Sequence, residues 1–173
     1  MKVYDGTTAD SEPAFQPEPI KIGIAESKVT NEDAVLTTSG LGSCLGVAVY
    51  ERSATVAGLV HVMLPSLAEM EGSNEAKFAD SGIRALVNEI ESHGAKREHM
   101  EAKIAGGSDM LDFSENGSGI GVQNVEMGRQ TLEELDIPIV GEDIGGEHGR
   151  SLRLETASGD LVVKSANRDA ITL

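Results

Sequence analysis

Val47-Ala48-Val49-Tyr50, Glu51-Arg52-Ser53 and Val56-Ala57-Gly58-Leu59-Val60-His61-Val62-Met63-Leu64-Pro65 decide the architecture. Both apolar runs are short and rich in β-branched residues, with a polar turn between them. They therefore read as a strand hairpin whose second arm is stopped by Pro65. Upstream, Ile20–Ile24 alternates at period two and reads as a strand. Ala34–Thr38 reads as another, ended by the glycine-rich run Ser39-Gly40-Leu41-Gly42-Ser43. Downstream, Ala79, Ile83, Leu86, Val87 and Ile90 fall on one helical face, with Gly94 as the stop. Ala102–Ala105 is a short buried strand before Gly106-Gly107. A second helix is expected from Asn124, which can cap it; Val125, Leu132 and Leu135 form its buried face and Pro138 lies just beyond. Ile137–Val140 reads as strand, and Leu152–Thr156 turns through Ala157–Asp160 into Leu161–Val163 as a hairpin. Many strands with only two clear helices indicate an α+β layered domain rather than a regular βαβ winding.

The chain has 173 residues and a mass of 18.2 kDa, enough for a single domain that needs neither disulfide nor metal to fold. Fourteen basic residues against 29 acidic ones leave a net charge of −15. No basic stripe is available to displace counterions from phosphates, which excludes a nucleic-acid binder and disfavours attraction to anionic lipid. Aromatic residues make up 3% and Trp is absent, so no base-stacking platform exists. No apolar run is long enough to span a bilayer, and no export signal opens the chain, so a cytoplasmic location without membrane insertion is expected. Disorder does not explain the charge, because 39% of the residues are hydrophobic and their periodicity is good. A halophilic source does explain it. In multimolar salt the Debye length shrinks to about 3 Å, and crowded carboxylates repel weakly while holding water. Full stability in salt-free buffer would contradict that reading. Residues 1–19 carry Pro13, Pro17 and Pro19 with Asp5, Asp10, Glu12 and Glu18, and read as a flexible acidic tail. The folded domain is expected over 20–173.

The single cysteine, Cys44, directly follows Gly40-Leu41-Gly42-Ser43. Backbone N–H groups freed by a glycine turn can lower a thiol pKa and later hold an oxyanion. His61 lies inside the apolar second arm of the hairpin, so the turn folds it back beside Cys44. A thiol beside an imidazole is the minimal activated nucleophile. A lone buried cysteine is more often inert, and a lone strand histidine more often a satisfied core residue. What favours chemistry is the occurrence of both beside a glycine turn on one hairpin.

Thr38-Ser39-Gly40-Leu41-Gly42-Ser43-Cys44-Leu45-Gly46-Val47 closely resembles the signature of the CheD family of chemoreceptor glutamine deamidases. His61-Val62-Met63-Leu64-Pro65, Lys77–Asp80, Lys103–Gly107, Ile120–Asn124, Asp143–Gly146 and Gly149-Arg150 resemble later blocks of the same family, so the resemblance spans Ile20 to Lys164. It implies an α+β sandwich with mixed sheets flanked by helices, and no cofactor. It places the catalytic cysteine on Cys44, the histidine on His61 and the third member on Thr38. It further implies chemoreceptors as substrate, a CheC-type chemotaxis phosphatase as partner, and a role in adaptation. Gln123 stands where the family usually has Arg, and Ser108 where Ala is common. From turn geometry alone, the Gly42–Cys44 backbone, with Gly42 and Ser43, is the candidate oxyanion hole.

Other readings carry less. Gly42-Ser43-Cys44-Leu45-Gly46 fits a nucleophile elbow, but a strand rather than a helix follows and the histidine comes early. Gly117–Gly121 lacks a preceding strand and reads as a flexible surface loop, not a dinucleotide site. His148 has no second ligand at metal-binding spacing, and His93 and His99 sit in polar sequence near a helix end. A binding module that has lost catalysis is disfavoured by the presence of all three candidate residues.

Overall fold

The computed structural model describes residues 18–66, 74–109 and 119–173. All but the last two residues of the expected tail lie outside these, as do Leu111–Asn116, Gly117 and Ser118. In chain order the elements are β1 (Ile20–Lys21), β2 (Ser27–Thr30), β3 (Val35–Leu41), β4 (Leu45–Glu51), β5 (Val56–Val62), α1 (Ala79–Ser92), β6 (Glu101–Gly106), α2 (Ile120–Glu134), β7 (Ile139–Ile144), β8 (Arg150–Glu155), β9 (Asp160–Ser165) and β10 (Ile171–Thr172). They build two sheets, ordered β1-β3-β8-β9-β10 and β2-β5-β4-β6-β7. Each is mixed: β1 runs parallel to β3 and β6 parallel to β7, while the other pairs are antiparallel. The α+β sandwich with mixed sheets is therefore present.

β4 and β5 explain the layering. Every residue of both strands is buried, so neither face reaches water. Val47, Val49, Val60 and Val62 pack with Ile83, Leu86 and Ile90 of α1 and Leu132 of α2. On the opposite face Ala48, Tyr50, Ala57 and Leu59 meet Leu36, Leu152, Leu154 and Leu161 of the other sheet. The helices thus cover one sheet from outside, and the second sheet covers its other face. Each fully buried Leu, Ile or Val contributes about 1.5–3 kcal/mol. The expected hairpin forms with Gly46 opposite His61. Buried Glu51 closes its turn, accepting from the backbone N–H groups of Ser53 (2.7 Å), Ala54 (3.2 Å) and Lys96 (3.1 Å). Burial alone would raise its pKa, but these bonds and the Ser53 hydroxyl win and hold it at about 2. Its contribution to stability is complete above the ordinary glutamate range near 4.3 and is lost as pH falls toward 2.

Some expectations need correction. Only Ile20 and Lys21 of the first expected strand pair; the chain then turns at Ala25 (φ 64°), leaving Ile24 52% exposed. β2 and β10 went unforeseen because each is short and mostly exposed, and is defined by its partner strand. β3 does not end at Thr38; it continues to Leu41 across an irregularity at Gly40 (φ 77°). α2 begins at Ile120 behind Gly119, so Asn124 is no cap but lies buried in the second turn. Gly121 allows this earlier start, since a Cβ there would lie 2.2 Å from the Ser108 carbonyl oxygen. The strand expected at Ile137–Val140 is shifted, running from Ile139 to Ile144 beside β6.

Candidate functional site

His61 enters the layer between the sheets because Ala57 and Leu59 of the same strand face that way. Thr38 comes from β3 of the opposite sheet, where Leu36 sets the inward face. Their side chains meet: Thr38 Oγ1 lies 2.7 Å from His61 Nδ1 and 2.7 Å from the Ile22 carbonyl oxygen. The hydroxyl has one proton. Donating it to Ile22 leaves Oγ1 as acceptor, so His61 must carry its hydrogen on Nδ1. That assignment places a proton in both short contacts. Nε2 therefore holds a lone pair, and it is buried with no hydrogen-bond partner among the described residues. An orphaned buried acceptor costs about 1–3 kcal/mol, which a proton donor arriving at Nε2 would relieve. The backbone of His61 is pinned as well, its N–H donating to the Glu26 carbonyl (3.1 Å) and its carbonyl accepting from the Ala25 N–H (2.9 Å).

Cys44 immediately precedes β4 and packs on the inter-sheet core. Because Gly46 opposes His61, Cys44 sits diagonally across the hairpin on the same face. Such diagonal neighbours lie about 7–8 Å apart, closer at Cβ. Gly46 leaves room on this face for the Leu152 and Leu41 side chains, which pack over it. His61 is fully buried whereas Cys44 is only partly buried, so of the two the cysteine lies nearer solvent. The structure thus joins Thr38 to His61 by a hydrogen bond and puts Cys44 on their face.

Burial pushes the Cys44 thiol up, only partly offset by its own backbone N–H, and pushes the His61 imidazole down. The expected lowering of the thiol by the glycine turn is therefore outweighed. Both groups are neutral at rest, which suits a general base that takes the proton as the sulfur attacks. The consequence is testable with iodoacetamide, which has no other cysteine to label. The rate should step up as His61 loses its proton, at a pH below the ordinary histidine value of about 6.5, and rise again above about 8.5 as the thiol ionises. A single titration near the ordinary cysteine value would show that the two do not interact.

The turn before Cys44 is held by its carbonyls. Ser108 N–H donates to the Gly42 carbonyl (2.9 Å) and Gly107 N–H to the Cys44 carbonyl (2.8 Å). Asn124 Nδ2 donates to the Ser43 carbonyl (2.8 Å). Gly42 N–H is taken by the Gly40 carbonyl (3.2 Å), which weakens it as an oxyanion donor. Among the described residues the Ser43 N–H has no hydrogen-bond partner, and the Cys44 N–H acts only on its own thiol. Ser108 acts here through its backbone, so Ser in place of Ala does not disturb the turn. A cleft of about 490 Å³ is lined by Lys21, Ile22, Thr38, Arg153 and Lys164 among others, so it borders the site at Thr38 without including Cys44 or His61. Among the described residues no three His, Cys, Asp or Glu side chains converge to hold a metal ion, and no helix is long and apolar enough to cross a membrane. His93 and His99 are exposed.

Residues 63–165 match the family model described as CheD chemotactic sensory transduction. That match starts after Thr38, Cys44 and His61, but similarity to whole proteins includes them. The chain is 62% identical over 173 residues, all of both chains, to a Haloarcula marismortui protein named "Probable chemoreceptor glutamine deamidase CheD". It is 41% identical to a Natronomonas pharaonis protein of the same name, covering 90% of this chain and 93% of that one. A Halalkalibacterium halodurans protein named "Chemoreceptor glutamine deamidase CheD" is 38% identical over 86% of this chain and 94% of its own. The two archaeal relatives support the halophilic source read from the charge.

Proposed function

The chain belongs to the CheD family, and on that premise we propose that it is a chemoreceptor glutamine deamidase working through Cys44, His61 and Thr38. His61 Nε2 takes the thiol proton as Cys44 Sγ attacks the side-chain carboxamide carbon of a receptor glutamine. The tetrahedral oxyanion faces the Ser43 and Cys44 N–H groups. Collapse breaks the C–N bond, and the proton on Nε2 leaves with the amine as ammonia. Water then attacks the thioester, giving one proton to Nε2, which returns it to the sulfur as glutamate is released. One water is consumed and one ammonia formed per glutamine.

The observation that carries this reading is the Nε2 of His61, unpartnered among the described residues, fixed as a base by Thr38 and sharing a face with the only cysteine. Thr38 has the orienting role that Asp or Asn plays in other hydrolases of this kind. With the reading go action in the cytoplasm, docking on a CheC-type phosphatase, and a part in adaptation, since each new glutamate becomes a methylation site. Ammonia release from a purified receptor cytoplasmic fragment tests it: stoichiometric release with the wild-type protein supports the reading, and none under conditions where the fold is intact overturns it.

A further inference from the structure

We propose that Asn124 is a positioning residue, clamping the nucleophile turn to the histidine strand and aiming the Cys44 N–H; the proposal rests on the deamidase reading above. Its Nδ2 donates to the Ser43 carbonyl (2.8 Å) and to the Met63 carbonyl (2.9 Å). Two carbonyl partners identify that end of the amide as the NH2 group, and both its protons are used. One side chain from α2 thus ties the residue before Cys44 to a residue just past His61.

The peptide geometry explains what the clamp does. The Ser43 carbonyl and the Cys44 N–H belong to one planar trans unit and point in opposite directions. Anchoring the carbonyl on Asn124 turns the N–H away from α2, toward the sulfur, where it partly offsets the effect of burial on the thiol. The carbonyls of Gly42 and Cys44 are held by backbone donors, so within this turn only the Ser43 anchor can be removed by substitution. Packing does not account for an asparagine here. Asn124 is fully buried and its Oδ1 has no partner among the described residues, a cost that an apolar residue of similar shape would avoid.

Two variants test the clamp. Asn124→Leu keeps the heavy-atom branching, at a somewhat larger volume, and loses both donors, and Asn124→Ser is too short to bridge the two carbonyls. Each is expected to lower kcat on a receptor fragment about 100-fold, the scale for a misplacement near 1 Å, with KM little changed. The pH profile of Cys44 alkylation should lose its histidine step and follow the thiol alone. A purely structural role would lower the melting temperature but leave kcat per folded molecule and the alkylation profile as in wild type, and that result overturns the proposal. Should the leucine variant not fold, the serine variant decides by the same readouts. Were the wild-type protein to release no ammonia, the deamidase reading would fall, while the alkylation profiles would still decide the role of Asn124.

Discussion

Cys44→Ala is expected to abolish ammonia release, and His61→Ala to do nearly the same, each lowering kcat about 10⁴-fold or more. Neither change removes a large apolar group, so circular dichroism and melting should show a folded domain. The two losses should not add, because thiol and imidazole act as one unit: the double variant should be no worse than Cys44→Ala. Thr38→Ala is expected to be milder, about 100-fold, because the imidazole stays buried on β5 but loses the acceptor that fixes its tautomer. Measurable turnover by Cys44→Ala near the wild-type rate would remove the nucleophile from the account.

The second large effect is expected far along the chain, at Gly106. Its φ is +116°, in the region that favours glycine, and an added Cβ would lie 2.4 Å from the Cys44 carbonyl oxygen. Gly106→Ala must therefore strain its own backbone and push the nucleophile turn aside. Strain of about 1–3 kcal/mol and overpacking of a similar size together predict a loss of about 2–5 kcal/mol. Activity should fall further than the folded fraction does, since the shifted atom belongs to Cys44 itself. Gly94→Ala is the control. Gly94 also has positive φ, +96°, but nothing lies within 4 Å of the added Cβ. That variant should lose only the cost of a Cβ at positive φ, about 1–2 kcal/mol, and keep its turnover per folded molecule. Equal effects at the two glycines, read by denaturant unfolding and ammonia release, would contradict the contact argument.

These two sites also mark how far the residues alone could be read. The β4–β5 hairpin was legible because strands buried on both faces leave continuous apolar runs, and α1 because Ile83, Leu86, Val87 and Ile90 keep helical spacing. Cys44, His61 and Thr38 stood in a recognisable block, and the hairpin register then put His61 opposite Gly46. Ser27–Thr30 was not legible, since Val29 is its only buried residue and the pairing with β5 defines it. Asn124 was misread for a sharper reason. An asparagine before an apolar run suits a helix cap, and only the tertiary packing reveals that its amide reaches Ser43 and Met63. The direction of the Cys44 shift was hidden likewise, because the turn supplies the N–H that lowers it while burial by distant strands raises it more.

The central claim is that Cys44, served by His61, converts receptor glutamine to glutamate. Intact mass measurement of a receptor co-expressed with this protein, followed by peptide mapping, tests it most directly. The account predicts that specific glutamines gain the mass difference between a hydroxyl and an amino group with the wild-type protein, and that none does with Cys44→Ala. Receptor glutamines left unchanged by the folded wild-type protein, or changed equally by Cys44→Ala, would contradict it.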